Sequence, residues 1–231
     1  MIGFDPLYLV FAVPGLLLAA YAAWQTRRTF HRYAGVAPAS GLTGAAAAAR
    51  MLASQGVRDV HIEPTTGLLS DHYDPRHNVL RLSEDVYYGR SLSAIGVACH
   101  EAGHALQQAH NYRPLALRSV LVPVTNIGSS LSWIVLSAGL VLQSLSLVYT
   151  GIILFSTAVV FALVTLPVEW DASARARALM VQAGIVSPHE QVHASKVLNA
   201  AFLTYIAAAV SSILTLVYYL LRAGLLGRRE E

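Results

Sequence analysis

Four stretches of this chain run for the thickness of a bilayer with almost no charge, and they limit its folds more than any other feature. In hydrocarbon every backbone amide must be hydrogen-bonded within the protein, so an isolated apolar run of this length is a helix. A crossing takes about 20 residues, and the runs cover residues 7–24, 120–142, 147–168 and 200–221. Charged residues make up 13% of the 231, against about 25% in soluble domains. The first run has Asp5 before it and Arg27, Arg28 and Arg32 after it. That charge order predicts an uncleaved anchor with its N-terminus outside, rather than a signal peptide, although "AYA" at 20–22 resembles a cleavage site.

Only the uncharged "QSLS" (143–146) separates the second and third runs. So short a connection makes a helical hairpin with both outer ends on one side. Its lack of Lys and Arg places the loop outside. Segments 25–117 and 169–199 then share the cytoplasmic face, with Arg50, Arg58, Arg76, Arg81, Arg90, Arg113, Arg118, Arg175, Arg177 and Lys196. Arg222, Arg228 and Arg229 run against this trend. Either the last segment is re-entrant, or Glu230, Glu231 and the weight of the earlier charges override the tail; four full spans are expected. The layout is an anchor (1–24), a cytoplasmic block (25–117), a transmembrane hairpin (118–168), a cytoplasmic helical segment (169–199) and a fourth span with tail (200–231). The net charge of +3 is small and scattered, which argues against nucleic acid as a partner. The single cysteine, Cys99, excludes an intrachain disulfide and a multi-cysteine metal knuckle. Its place on the helix reads as small packing.

Within 25–117, "SGLTGAAAAARMLASQG" predicts a helix capped by Ser40 and stopped at Gly56. Its alanine run suits either plain helix propensity or close packing against a neighbour. "DVHIEP" alternates as a strand ending at Pro64. "LLSDHYDPRHNVLRLS" (68–83) predicts two strands around the turn "DPRHN". Ser83 is placed to cap a short helix or turn, and a longer helix runs from Ser91 to about His110, with Pro114 as its terminator.

That longer helix carries "HEAGH", residues 100–104. Residues four apart share a helix face, so His100 and His104 can both aim an imidazole at one metal ion. Glu101 lies about 100° round the axis, where it can reach a water without ligating. Two neutral nitrogen ligands and a carboxylate base are what a zinc hydrolase needs. Small Ala102 and Gly103 leave room for a substrate or a packed neighbour. A third ligand is available in "LPVEWDASARARALM" (166–180). Pro167 is expected to close the apolar run and open a new helix. By the hairpin argument, Glu169 and Asp171 then return to the side of the histidines. They face about 200° apart and cannot both ligate easily. Asp171 is spaced to pair with Arg175 at i+4, so Glu169 is preferred as ligand and Asp171 is the alternative.

Other polar residues carry weaker signals. "NVLRL" (78–82) reads as a strand that offers an edge to a substrate backbone or as an ordinary half-buried strand. His72, Tyr73 and His77 near its turn, and His193 of the i,i+4 pair His189/His193, are candidate oxyanion or substrate contacts. Turn and surface-helix roles compete for all of them. His110 lies off the ligand face at the helix end.

"HEAGH" preceded by "DHYDPRHNVLRLSEDVYYGRSLSAIGVA" and followed by apolar spans and "PVEWDASARA" resembles the YugP-like membrane zinc metallopeptidases, over most of the chain. The resemblance implies a gluzincin-type peptidase in the bacterial cytoplasmic membrane, with one zinc ion on His100, His104 and a glutamate best matched by Glu169, and Glu101 as base. Position +4 from Glu169 departs from the gluzincin E-x-x-x-D pattern: it is Ser173, and the aspartate comes at +2. The expected fold is mainly α and integral to the membrane, with about four transmembrane helices. A small zincin-like α+β cytoplasmic domain holds a short sheet and the HExxH helix. Expected partners are the lipid bilayer and polypeptide substrates, either unfolded or membrane-associated. Two rivals are an intramembrane metalloprotease and a catalytically silent, zinc-stabilised scaffold. Against the first, "HEAGHALQQAHNYR" turns polar at once, and no Asp-Gly motif follows in a later apolar run.

Overall fold

The computed structural model describes residues 5–67 and 70–230, with side chains as far as Gly224. Leu68 and Leu69, where the first hairpin strand was expected to begin, lie outside the described residues, as do Glu231 and the side chains of Arg228, Arg229 and Glu230. The elements are α1 (Pro6–Ala34), α2 (Gly44–Ser54), β1 (His61–Thr65), β2 (His72–Asp74), β3 (Val79–Ser83), α3 (Glu84–Tyr87), α4 (Leu92–Ala109), α5 (Arg113–Val141), α6 (Leu145–Gln182) and α7 (Pro188–Glu230).

Four helices, α1, α5, α6 and α7, are long and apolar enough to cross a membrane. α1, α6 and α7 each contain one of the apolar runs and extend beyond it, and α5 covers the second run up to Val141. Pro167 neither closes α6 nor opens a new helix, contrary to expectation. It sits inside α6, as Pro14 does in α1 and Pro123 in α5. Proline removes one intrahelical hydrogen bond, but apolar helices tolerate the loss where water does not compete for the freed carbonyl. Large apolar side chains point outward along these helices, among them Leu16 (68% exposed), Ile127 (70%) and Ile153 (71%). In water such a surface would aggregate, and in lipid it is the expected exterior.

The chain divides into two units. The first comprises residues 1–21, 117–166 and 204–231. Small residues set its helix spacing: a Cβ on Gly128 would stand 2.6 Å from the Thr157 hydroxyl, and one on Gly15 would stand 2.8 Å from that of Ser211. The Tyr218 hydroxyl donates to the Asp5 carboxylate at 2.8 Å, and Arg222 Nε lies 3.4 Å from the same group. The start of α1 thus meets the end of α7. Asp5 also offsets one of the arginines that ran against the charge trend.

The second unit comprises residues 22–116 and 167–203. Its sheet has the order β1-β3-β2, with β1 parallel and β2 antiparallel to β3. β3 is paired on both sides. The edges therefore belong to β1 and β2, and of the two readings of the 78–82 run the ordinary half-buried strand fits, not the edge offered to a substrate. Pro64 does not end β1, which continues to Thr65. An edge strand tolerates the missing N–H. α2 is capped by Thr43, whose hydroxyl accepts from Ala46 N at 3.2 Å, rather than by Ser40. Ser83 precedes α3 as expected, but its hydroxyl donates to Asp71 instead of capping.

α4 starts at Ser91, whose hydroxyl accepts from Ala94 N at 3.1 Å. It stops at His110, followed by Asn111 in the left-handed region (φ 52°). Pro114 is not its terminator; it lies in the first turn of α5, where a missing N–H costs nothing. α4 is buried on nearly every side. Its Ile95, Ala98 and Leu106 share a core with Met51 and Leu52 of α2, Leu80 and Leu82 of β3, Ala176 and Met180 of α6, and Val197 of α7.

α4 and α6 approach closely at Gly103, where an added Cβ would lie 2.6 Å from the Ala172 carbonyl oxygen. The second small residue of "HEAGH" thus makes room for the α6 backbone. The obstacle is backbone and cannot turn aside, so Gly103→Ala should force α4 and α6 apart. Thermal unfolding of the detergent-solubilised protein should show a loss of about 1–3 kcal/mol, the range for overpacking. An unchanged melting temperature would mean that the two helices separate freely.

Candidate metal centre

α4 and α6 bring three side chains to one point. His100 and His104 project from one face of α4, and Glu169 comes from the turn of α6 that follows Pro167. The nitrogens and the carboxylate oxygen of these three residues lie within 4.8 Å of one another. His100 Nε2 is 3.1 Å from Glu169 Oε2, and His104 Nε2 is 3.4 Å from the same oxygen. A tetrahedral ion with ligands at about 2.0–2.1 Å sets neighbouring ligand atoms about 3.3–3.4 Å apart. The spacing therefore fits zinc.

Burial sharpens the point. The Glu169 side chain is 1% exposed, that of His104 8% and that of His100 13%. A carboxylate sealed in this way is costly without a cation beside it. Burial presses His104 towards its neutral form, but the Glu169 carboxylate outweighs this and raises its pKa above the usual histidine value.

The other ring nitrogens are held from behind. His100 Nδ1 is 3.0 Å from the Ser173 hydroxyl, and His104 Nδ1 is 3.0 Å from Gln107 Oε1. Such outer partners fix ring orientation at metal sites. Gln107 is fully buried, and its amide nitrogen donates to Val168 O at 2.7 Å and to Asp171 Oδ2 at 2.9 Å. Asp171 in turn accepts from Arg175 Nε at 2.6 Å, the expected i,i+4 pair. Arg175 also donates to His110 Nδ1 at 2.8 Å, so His110 ends α4 as part of this chain of contacts. Sequence reasoning did not pick out Gln107 or a role for Ser173. Their spacing held the signal: Gln107 is three residues after His104, and Ser173 is four after Glu169, each on the face of its ligand.

Of the two carboxylates left open by the sequence, Glu169 meets the histidines and Asp171 turns to Gln107 and Arg175. Glu101 is half-buried, one position past His100 on α4. The remaining candidates are engaged elsewhere. His72 Nδ1 is 2.7 Å from Ser70 O, and the Tyr73 hydroxyl donates to Asn78 at 3.1 Å. His77 pairs with Asp74 at 2.7 Å on the surface, which holds the Asp74 carboxyl well below its usual range. His193 stacks on Tyr33, with ring centroids 5.2 Å apart. Cys99 is buried, and its thiol pKa is pushed up to about 12, as suits a packing residue.

The family model described as "Putative neutral zinc metallopeptidase" matches residues 8–224. Among curated proteins, "Putative membrane protease YugP" of Bacillus subtilis (strain 168) is 46% identical over 215 residues, covering 93% of this chain and 96% of that protein. No solved structure matches. With the match running through both histidines, the third carboxylate and all four apolar helices, this chain belongs to the neutral zinc metallopeptidase family.

Proposed function

We propose that this chain is a multi-pass, zinc-dependent endopeptidase of the bacterial cytoplasmic membrane. It cleaves unfolded or membrane-associated polypeptides at the cytoplasmic face, through a zincin-like domain with a gluzincin-type ligand set. The observation that carries this reading is the sealed Glu169 carboxylate within 3.1 and 3.4 Å of two imidazole nitrogens from one turn of α4. The family match and the membrane protease relative supply the peptidase class.

His100, His104 and Glu169 would hold one zinc ion, with Ser173 and Gln107 steadying the rings. A bound zinc ion supplies Lewis acidity and brings the pKa of water to about 7. Glu101, turned about 100° from His100, takes the proton from the attacking water and returns it to the leaving amine. The motif helix α4 is not among the four membrane-length helices. This favours a site served from the aqueous side over cleavage within the bilayer.

Glu101→Gln should retain zinc and abolish hydrolysis of an unfolded protein substrate; cleavage at the wild-type rate would refute the mechanism. Metal analysis should separate the carboxylates. Glu169→Ala should lose zinc by more than the about 10–100-fold that removal of an outer partner costs. Asp171→Ala should remain within that range.

The His104 pKa, raised by Glu169, gives opposite pH trends with and without metal. Zinc must displace the His104 proton, so zinc affinity should fall as pH drops through the raised value. In the metal-free protein the protonated His104–Glu169 pair contributes stability that is full below about pH 6.5 and is lost as pH rises through the raised value. Melting in the presence of chelator should therefore weaken with rising pH, while chelator competition for zinc becomes harder.

A further inference from the structure

Gln107 has no place in the HExxH pattern, yet it is a fully buried amide that touches both sides of the candidate metal centre. The Val168 carbonyl oxygen can only accept a hydrogen bond, and so can the ionised Asp171 carboxylate. Both lie within 2.7–2.9 Å of one end of the Gln107 amide. That end must be the NH2 group, so the oxygen faces His104 Nδ1 at 3.0 Å. An acceptor there holds a proton on Nδ1 and directs Nε2 to the metal side. Arg175 Nε, which donates to Asp171 at 2.6 Å, holds that carboxylate in place.

From this we infer that Gln107 is a positioning residue, set by Val168 O and Asp171, which fixes the ring of His104 and ties it to the backbone that carries Glu169. Val168 directly precedes Glu169, so a single side chain couples the second ligand on α4 to the third on α6. Ser173 serves His100 separately, through its own hydroxyl. Ser173, at +4 from Glu169, thus meets one histidine, and Asp171, at +2, acts on the other through an amide. The inference rests on the proposed zinc site.

The test is zinc affinity by chelator competition on the full-length protein in detergent, with the spectrum of the cobalt-substituted protein as second readout. Wild type, His104→Ala, Gln107→Leu, Gln107→Glu and Gln107→Glu/Asp171→Asn are compared. Gln107→Leu should lower zinc affinity about 10–100-fold and shift the cobalt bands while α-helical content is kept. Gln107→Glu sets a carboxylate against Val168 O and Asp171 and should be at least as weak. Adding Asp171→Asn supplies a donor and should recover part of the loss, which a merely space-filling role would not. If Gln107→Leu fails to fold, the Gln107→Glu and double-variant pair decides the matter alone. Zinc affinities within twofold of wild type, or no recovery in the double variant, overturn the positioning role. Wild type without zinc, or affinity indifferent to His104→Ala, overturns the metal site itself.

Discussion

A buried carboxylate between two imidazoles governs this part of the molecule. Moving an ionised carboxylate into a low-dielectric interior costs several kcal/mol even after relaxation, and Glu169 is almost wholly sealed. The charge is tolerated only if a cation accompanies it, either as protons on the histidines or as a divalent ion. A bound metal ion would compete with protons for the same nitrogens. The raised His104 pKa and the approach of both imidazoles to one carboxylate oxygen are two consequences of one requirement.

Meeting that requirement dictates how α4 and α6 pack. Glu169 can reach the histidines only if the helix that carries it comes close to α4, and Gly103 permits this because an added Cβ there would strike the Ala172 carbonyl. α4 then binds α6 through backbone carbonyls as well as side chains. Gln107 donates to Val168 O, and the Tyr112 hydroxyl just beyond α4 lies 3.5 Å from Pro167 O. The proline that looks like a helix breaker lies beside the carbonyls through which the second helix docks.

Much of this was legible in the sequence, for identifiable reasons. The apolar runs gave the four long helices because bilayer length and charge depletion are strong signals. The i,i+4 histidines gave the shared face that meets Glu169 because helix periodicity is rigid. Helix ends were less legible. Ser40 and Thr43 are both good caps, and only tertiary contact chooses between them. Pro114 and Pro167 were read as terminators, although the first opens α5 and the second lies within α6. Proline's effect depends on what else can bond the freed groups, which local sequence does not contain. The 78–82 strand was recognised, but its central place in the sheet follows from a parallel pairing with β1 that no short-range pattern encodes.

The division between Glu169 and Asp171 illustrates the same limit at the level of chemistry. On helix geometry alone the two carboxylates are interchangeable candidates facing opposite ways, and only the i,i+4 arginine separates them. Arg175 holds Asp171 by a half-buried ion pair at 2.6 Å, while Glu169 is left to the buried face and to the histidines. The consequence of the pair is positional: it holds Asp171 beside Gln107, to which the carboxylate offers a fixed acceptor. The carboxylate left to the imidazole pair is Glu169.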